Sequence, residues 1–499
     1  MQGARTTRGC MNCRRRKKGC DFTRPACGRC SRLGIECRYE ERRYTFMNAT
    51  SEPLSTTGRE SLSTAPVTIL NGPLQSSLVA TDSALQINEE FWNIYFPTED
   101  VALDGSIGGV HSAPWIPAIR TLAQQDARLR NALHAVAFAG VGWMQNDYDF
   151  VQQARKSYAL ALRSVNLALQ DPESAQDDAV LASVRVLGMF ELFRRSPAAP
   201  NAEQGQILDW QSHVNGTCRL IQLRGRDKNV SGNGSDLYSA IRFTALVHGI
   251  ALRTPNAVTA APWSIPRRNT LRDDLFDIVG IVPDLYQRSD RVKALILAQT
   301  GSGVQEDNGL LVERGGELLR QYITLVNELQ DWEHRAVRLC RDHGPMSVSE
   351  ASAVDPIAAG GPPGLDEFCT LYGNGFFTLC TQYWAFCLKV YVAAQAFCEL
   401  LLSAISKPDH THLLPTLPAF IDPARSAWHI ANNTPYFFRS GAGLWSAQSA
   451  VFPVGAALHY YASAGRRDSP MFKKMTEAFK DSKTGLIMGD FVHKIANSK

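Results

Sequence analysis

Six of the chain's twelve cysteines stand within 28 residues: Cys10, Cys13, Cys20, Cys27, Cys30 and Cys37. Their spacing is C-x2-C-x6-C-x6-C-x2-C-x6-C, so the unit C-x2-C-x6-C occurs twice, joined by "DFTRPA". A C-x2-C pair places two thiolates on one tetrahedral zinc. One zinc takes four ligands, so six thiolates close two sites when two sulfurs are shared. No coordination position is then left for a substrate, which points to structural rather than catalytic metal. The opening "MQGARTTRGC" has no apolar h-region of a secretory signal. In a reducing compartment dense cysteines bind metal more often than they pair as disulfides, so a disulfide framework is disfavoured.

The charges separate along the chain. Residues 1–43 carry 13 Lys/Arg against 4 Asp/Glu, and the remainder carries 39 against 44. Two zinc ions on six thiolates add about −2, leaving the head near +7, enough to neutralise several phosphates. A basic head on a mildly acidic body has the electrostatic outline of a nucleic-acid reader joined to something else. The run "RRRKK" (Arg14, Arg15, Arg16, Lys17, Lys18) lies between the second and third cysteines and reads as a short basic helix. Arg and Lys there can donate to guanine O6 and N7 in the major groove, which suits a G-rich triplet. In the second half, "SRLGIE" supplies Leu33 and Ile35, which read as packing and backbone support. One half reads bases and the other braces. On the residues alone, a zinc-organised module that binds protein stays open beside the DNA reading.

This stretch closely resembles the fungal binuclear zinc cluster DNA-binding domain. Arg14, Arg16 and Lys17 match the family's basic positions, Pro25 matches its loop proline, and Gly19 stands where the pattern has lysine, with Lys18 beside it. The resemblance implies two zinc ions, bridged by Cys10 and Cys27. Cys13 and Cys20 complete one site, and Cys30 and Cys37 the other. It also implies recognition of CGG-like triplets in double-stranded DNA, a nuclear location and control of transcription, with a metabolic gene cluster as the expected setting. The expected domain limits are 1–43 for the cluster, 44–86 for a Ser/Thr/Pro-rich flexible linker, and 87–499 for the body. No sustained heptads occur between Arg38 and Asn88, so pairing of two copies, if any, falls to the body.

The body reads as all-α. "PWIPAIRTLAQQDARLRNALHAVAFAGVGWM", "DFVQQARKSYALALRSVNLALQD" and "GELLRQYITLVNELQDWEHRAVRLCRDHG" repeat apolar residues at three- and four-residue spacing. "DDAVLASVRVLGMFELFRR" opens with acids and closes with arginines, complementing a helix dipole. "ILDWQSHVNGTCRLIQLRG" ends on Gly225, which fits a C-terminal cap. Segments such as "EEFWNIYF" and "WQSHVNGTCRLIQLRG" resemble the fungal-specific regulatory domain found behind such clusters, which implies an effector role without naming a ligand. Contacts with the transcription machinery or a small-molecule effector are left open.

No uncharged apolar run approaches the roughly 18 residues of a membrane span, and no membrane partner is expected. "DDLFD" (Asp273, Asp274, Asp277) has the shape of an acidic Mg²⁺-binding turn. It lacks a partner acidic motif, and an ordinary acidic helical turn is the expected reading. His410 and His412 fit a polar loop better than a metal site. The series Phe368, Tyr372, Phe376, Tyr383, Phe386 and Phe397 lies near helical spacing and reads as core. No catalytic residue is assigned, and no enzyme is expected.

Overall fold

The computed structural model describes residues 12, 13, 16, 20, 27–33, 35, 37, 86–96, 115–194, 202–259, 270–302, 308–343, 364–404 and 414–497. They fall into two compact units, one within 1–45 and one within 46–499. No strand occurs among the described residues. The expected linker lies outside them except for its last residue, as do His410 and His412.

In the small unit, Asn12 opens a helical turn whose Arg16 N–H donates to the Asn12 carbonyl at 3.1 Å. The second half forms α1 (Gly28–Arg32). Cys27 is its N-cap, in extended backbone, with its Sγ accepting from the Cys30 N–H at 3.4 Å. Cys13 and Cys30 therefore each lie in a helical turn. The packed interior consists of Cys13, Cys27 and Cys30, with Cys20, Ile35 and Cys37 against it. Ile35 is the one aliphatic residue in that set. Among the described residues the interior of this small unit is mostly sulfur, the composition of a domain that draws its folding energy from metal ligation.

The body begins with α2 (86–95). The long stretch from Ile116 to Gln145 is two helices, α3 (Ile116–Gln125) and α4 (Ala127–Gln145). Asp126 separates them: its backbone is extended and its carboxylate accepts from the Arg128 and Leu129 N–H groups, capping α4. Asp147 does the same for α5 (Tyr148–Ala168), after Asn146 turns the chain at φ 57°. α6 (Asp178–Phe193) is buried from Ala179 to Phe193 apart from Arg185, apolar on nearly every face, and fills the centre of this layer. α7 (Ala202–Arg224) ends at Gly225, whose φ of 73° is the left-handed cap expected there. α8 (Gly232–Leu252), α9 (Leu271–Val279), α10 (Val282–Ser302) and α11 (Asn308–His343) follow.

The second half is built around α13 (Gly373–Ala404), which follows the single turn α12 (Leu365–Phe368). By length and hydropathy α13 is the one described helix able to cross a membrane. The sequence hides this because Lys389 and Glu399 interrupt its apolar run. Here it is a core helix, buried throughout from Gly373 to Leu388. Phe376, Tyr383, Phe386 and Phe397 are buried as the pattern suggests; Tyr383 stacks on Trp332 at 4.9 Å. Tyr372 and Phe368 are only half-buried. α14 (Pro423–Asn433), α15 (Gly443–Ser463), α16 (Pro470–Lys480) and α17 (Lys483–Asn497) complete the fold. α17 returns to the first layer, where Phe491 meets Trp210 of α7 edge-on at 6.1 Å.

Candidate metal centre and nucleic-acid interface

The sulfurs of the small unit gather in two sets. Cys13, Cys20 and Cys27 have Sγ atoms mutually within 4.8 Å, and so do Cys27, Cys30 and Cys37. Cys27 belongs to both. It is fully buried, with Cys13 and Cys30 almost so, while Cys20 and Cys37 are half-buried. Among the described residues these are the sets of three or more metal-ligating side chains so gathered.

The residues fit zinc. Cys13 and Cys27 place their sulfurs 3.7 Å apart. Two sulfurs about 2.3 Å from one tetrahedral ion stand about 3.8 Å apart, whereas a disulfide requires about 2.05 Å. Backbone groups orient the sulfurs, with Cys27 N–H donating to Cys37 Sγ at 3.3 Å as well as Cys30 N–H donating to Cys27 Sγ. Cys10, Arg14, Arg15, Lys17 and Lys18 lie outside the described residues.

Of the basic run, Arg16 is described, and it is exposed. Asn12, Cys13, Arg16, Arg29, Cys30, Leu33 and Ile35 line one surface depression. Ile35 packs against the sulfurs as expected, but Leu33 does not: half of its surface is exposed. It terminates α1, where its N–H donates back to the Arg29 and Cys30 carbonyls. Arg29 and Arg32 of α1 are exposed too. Sequence reasoning passed over Arg29, although a cation between two clustered cysteines was a signal in plain view.

The acidic turn of α9 is neutralised from within. Asp277 and Asp273 face Arg242, the latter at 3.9 Å, and Asp274 lies 3.7 Å from Arg335. Asp273 also accepts from the Thr270 hydroxyl at 2.9 Å, while its N–H donates to that hydroxyl at 3.1 Å. Three carboxylates paired with two guanidiniums make an ordinary helical start rather than a metal clamp.

A buried charged network lies elsewhere in the body. Glu191 and Asp209, both fully buried, share Arg194 at 3.0 and 2.9 Å. His213 stands 4.0 Å from Glu191, and its Nε2 is 2.9 Å from the Tyr158 hydroxyl. Burial pushes Glu191 up to about 7 against the pull of Arg194. Burial, aided by the Arg194 charge, pushes His213 down to about 3. The imidazole is therefore neutral and the glutamate poised near neutrality.

Residues 8–45 match the Fungal Zn(2)-Cys(6) binuclear cluster domain, and residues 95–257 match the Fungal specific transcription factor domain. The chain is similar to an uncharacterized protein of Emericella nidulans, 32% identical over 179 residues, covering 33% of this chain and 36% of that one. It is similar to Regulator of drug sensitivity 1 of Saccharomyces cerevisiae, 29% identical over 124 residues, 24% and 14% of the two chains. A third relative is the Phomenoic acid biosynthesis cluster-specific transcriptional regulator of Leptosphaeria maculans, 21% identical over 245 residues, 45% and 43% of the two chains. Each match spans less than half of the relative's own length. No solved structure matches the chain. The chain thus carries a fungal Zn(2)-Cys(6) binuclear cluster domain, a two-zinc domain, ahead of a fungal specific transcription factor domain.

Proposed function

We propose that this protein is a nuclear transcriptional regulator that reads a G-rich, CGG-like triplet in the major groove through the basic run 14–18. The observation that carries the reading is the sharing of Cys27 between two sulfur sets, each drawn from one half of the repeat plus that residue. Bound zinc would cross-link the two halves and do no chemistry on a substrate. In this reading Cys10 and Cys27 bridge, Cys13 and Cys20 complete one site, and Cys30 and Cys37 the other. The matched domains and the regulator from Leptosphaeria maculans support the same conclusion.

Residues 1–43 act as the reading head, 44–86 as its tether and 87–499 as the body that governs activity. In this reading the chain is a regulator and not an enzyme, and the carboxylates of α9 serve as ion-pair partners of Arg242 and Arg335. Selection of bound sequences from a randomised duplex pool tests the reading, using the zinc-loaded full-length chain and a Lys17→Ala/Lys18→Ala control. Enrichment of a G-rich triplet, lost in the control, is expected. Retention that fades with salt and enriches no sequence would leave a non-specific anchor and favour a protein-binding module instead.

A further inference from the structure

The second half of the cysteine repeat brings its own cations to the surface beside the first. Arg16 lies three residues beyond Cys13 and four beyond Asn12, on the same side of the first helical turn. Arg29 lies in α1, between Gly28 and Cys30. Thirteen residues apart, the two arginines line one depression with Asn12 and the half-exposed Leu33, and no carboxylate is among its described lining residues. Arg32, equally exposed on α1, is not among them; its Nε donates to the Gly28 carbonyl at 3.2 Å.

Two exposed arginines around one hollow can together hold an anion that accepts from both. A guanine edge is filled by a single bidentate arginine. A phosphodiester has two free oxygens and accepts charge-assisted bonds from two forks, and its neighbouring sugar presents carbon to an apolar side chain. We propose that Arg16 and Arg29 grip one phosphate of the DNA backbone between them, with Leu33 against the adjoining deoxyribose. Arg16 then fixes the register of the head rather than reading a base, and the second half takes a direct part in binding. This rests on the regulator reading above.

The test uses the full-length zinc-loaded chain and its selected duplex, with affinity measured across a salt series. Zinc content is checked first, since both arginines flank ligand cysteines; it should be unchanged in every arginine variant. Arg16→Gln and Arg29→Gln should each weaken binding to all sequences alike and preserve their ranking, while the slope of log affinity against log salt falls by less than one, since the remaining arginine still pairs with the phosphate. The double variant should lose about one, because both side chains serve the same phosphate. Arg32→Gln should leave the slope alone. A duplex with one neutral methylphosphonate at that phosphate should reproduce the double variant and bind the single variants no worse than the wild type.

An Arg29→Gln chain indistinguishable from wild type would overturn the proposal, as would a double variant losing about two, or an altered base ranking with Arg16→Gln. A wild-type chain that fails to bind duplex at all would overturn the regulator reading, and this one with it.

Discussion

The sulfurs of Cys13 and Cys27 lie 3.7 Å apart at positions fourteen apart in the chain, and the Cys27 sulfur lies within 4.8 Å of those of Cys30 and Cys37 as well as those of Cys13 and Cys20. One sulfur thus belongs to both sets. Cys27→Ser should lower zinc from about two ions per chain to near none, whereas Cys37→Ser should cost about one. Cys398→Ser, in the body, should cost none. Metal analysis of the purified full-length variants decides this. Equal losses from Cys27→Ser and Cys37→Ser would show that Cys27 is an ordinary terminal ligand.

Glu191 and His213 act on stability in opposite directions. Glu191 rises from 4.5 in a free glutamate to about 7 in the fold, so its contribution is full below 4.5 and is lost as pH rises through 7. His213 falls from 6.5 to about 3, so its contribution is present above 6.5 and is lost as pH falls through 3. Between pH 4.5 and 6.5 the two slopes offset each other. Glu191→Gln removes one of them, and the Tm of that variant should then climb with pH across this window while the wild type stays flatter. Parallel profiles for the two proteins would refute the opposition. Tyr158, Arg194 and Asp209 face the pair and should be left intact in the comparison.

Arg224 joins three segments. Its guanidinium donates to the Gln176 carbonyl at 2.6 Å, the Asn229 side chain at 3.1 Å, the Lys228 carbonyl at 3.1 Å and the Asp178 carboxylate. Arg224→Leu should destabilise the body by on the order of 3 kcal/mol, since it strands these acceptors. Arg224→Lys should recover only part of that, because an ammonium cannot reproduce the fork. Urea midpoints for the two variants are the measurement.

Gly443 begins α15 at φ 72°, and a Cβ there would lie 2.6 Å from the Tyr95 carbonyl of α2. Gly443→Ala should therefore cost on the order of 2 kcal/mol in thermal or urea unfolding. A neutral outcome would mean that α2 yields easily to α15.

What was legible in the sequence follows from how far each signal reaches along the chain. The cysteine spacing is a local code for ligation, and helices such as α5 announce themselves by period. The break at Asp126 was missed because apolar spacing continues on both sides of it; only the capping aspartate marks the boundary. "FELFRR" reads as a basic helix end, yet the partner that fixes Arg194, besides Glu191 one turn back, is Asp209 on the next helix. Leu33 looked like packing because it is apolar, but it ends α1 half-exposed, and Ile35 is the aliphatic side chain that packs on the sulfurs among the described residues.

The return of α17 to the first layer carries a consequence for genetics. Met488, Phe491 and Val492 are buried, and Phe491 closes over Trp210, some 280 residues upstream. The region matched to the transcription factor domain ends at residue 257 but borrows part of its packing from the last helix. A stop codon shortly after Lys480 would leave every cysteine and every basic residue of the head in place. Its product would still lack the lid on α7, and the resulting allele should behave as a loss of protein rather than as a shortened, working regulator.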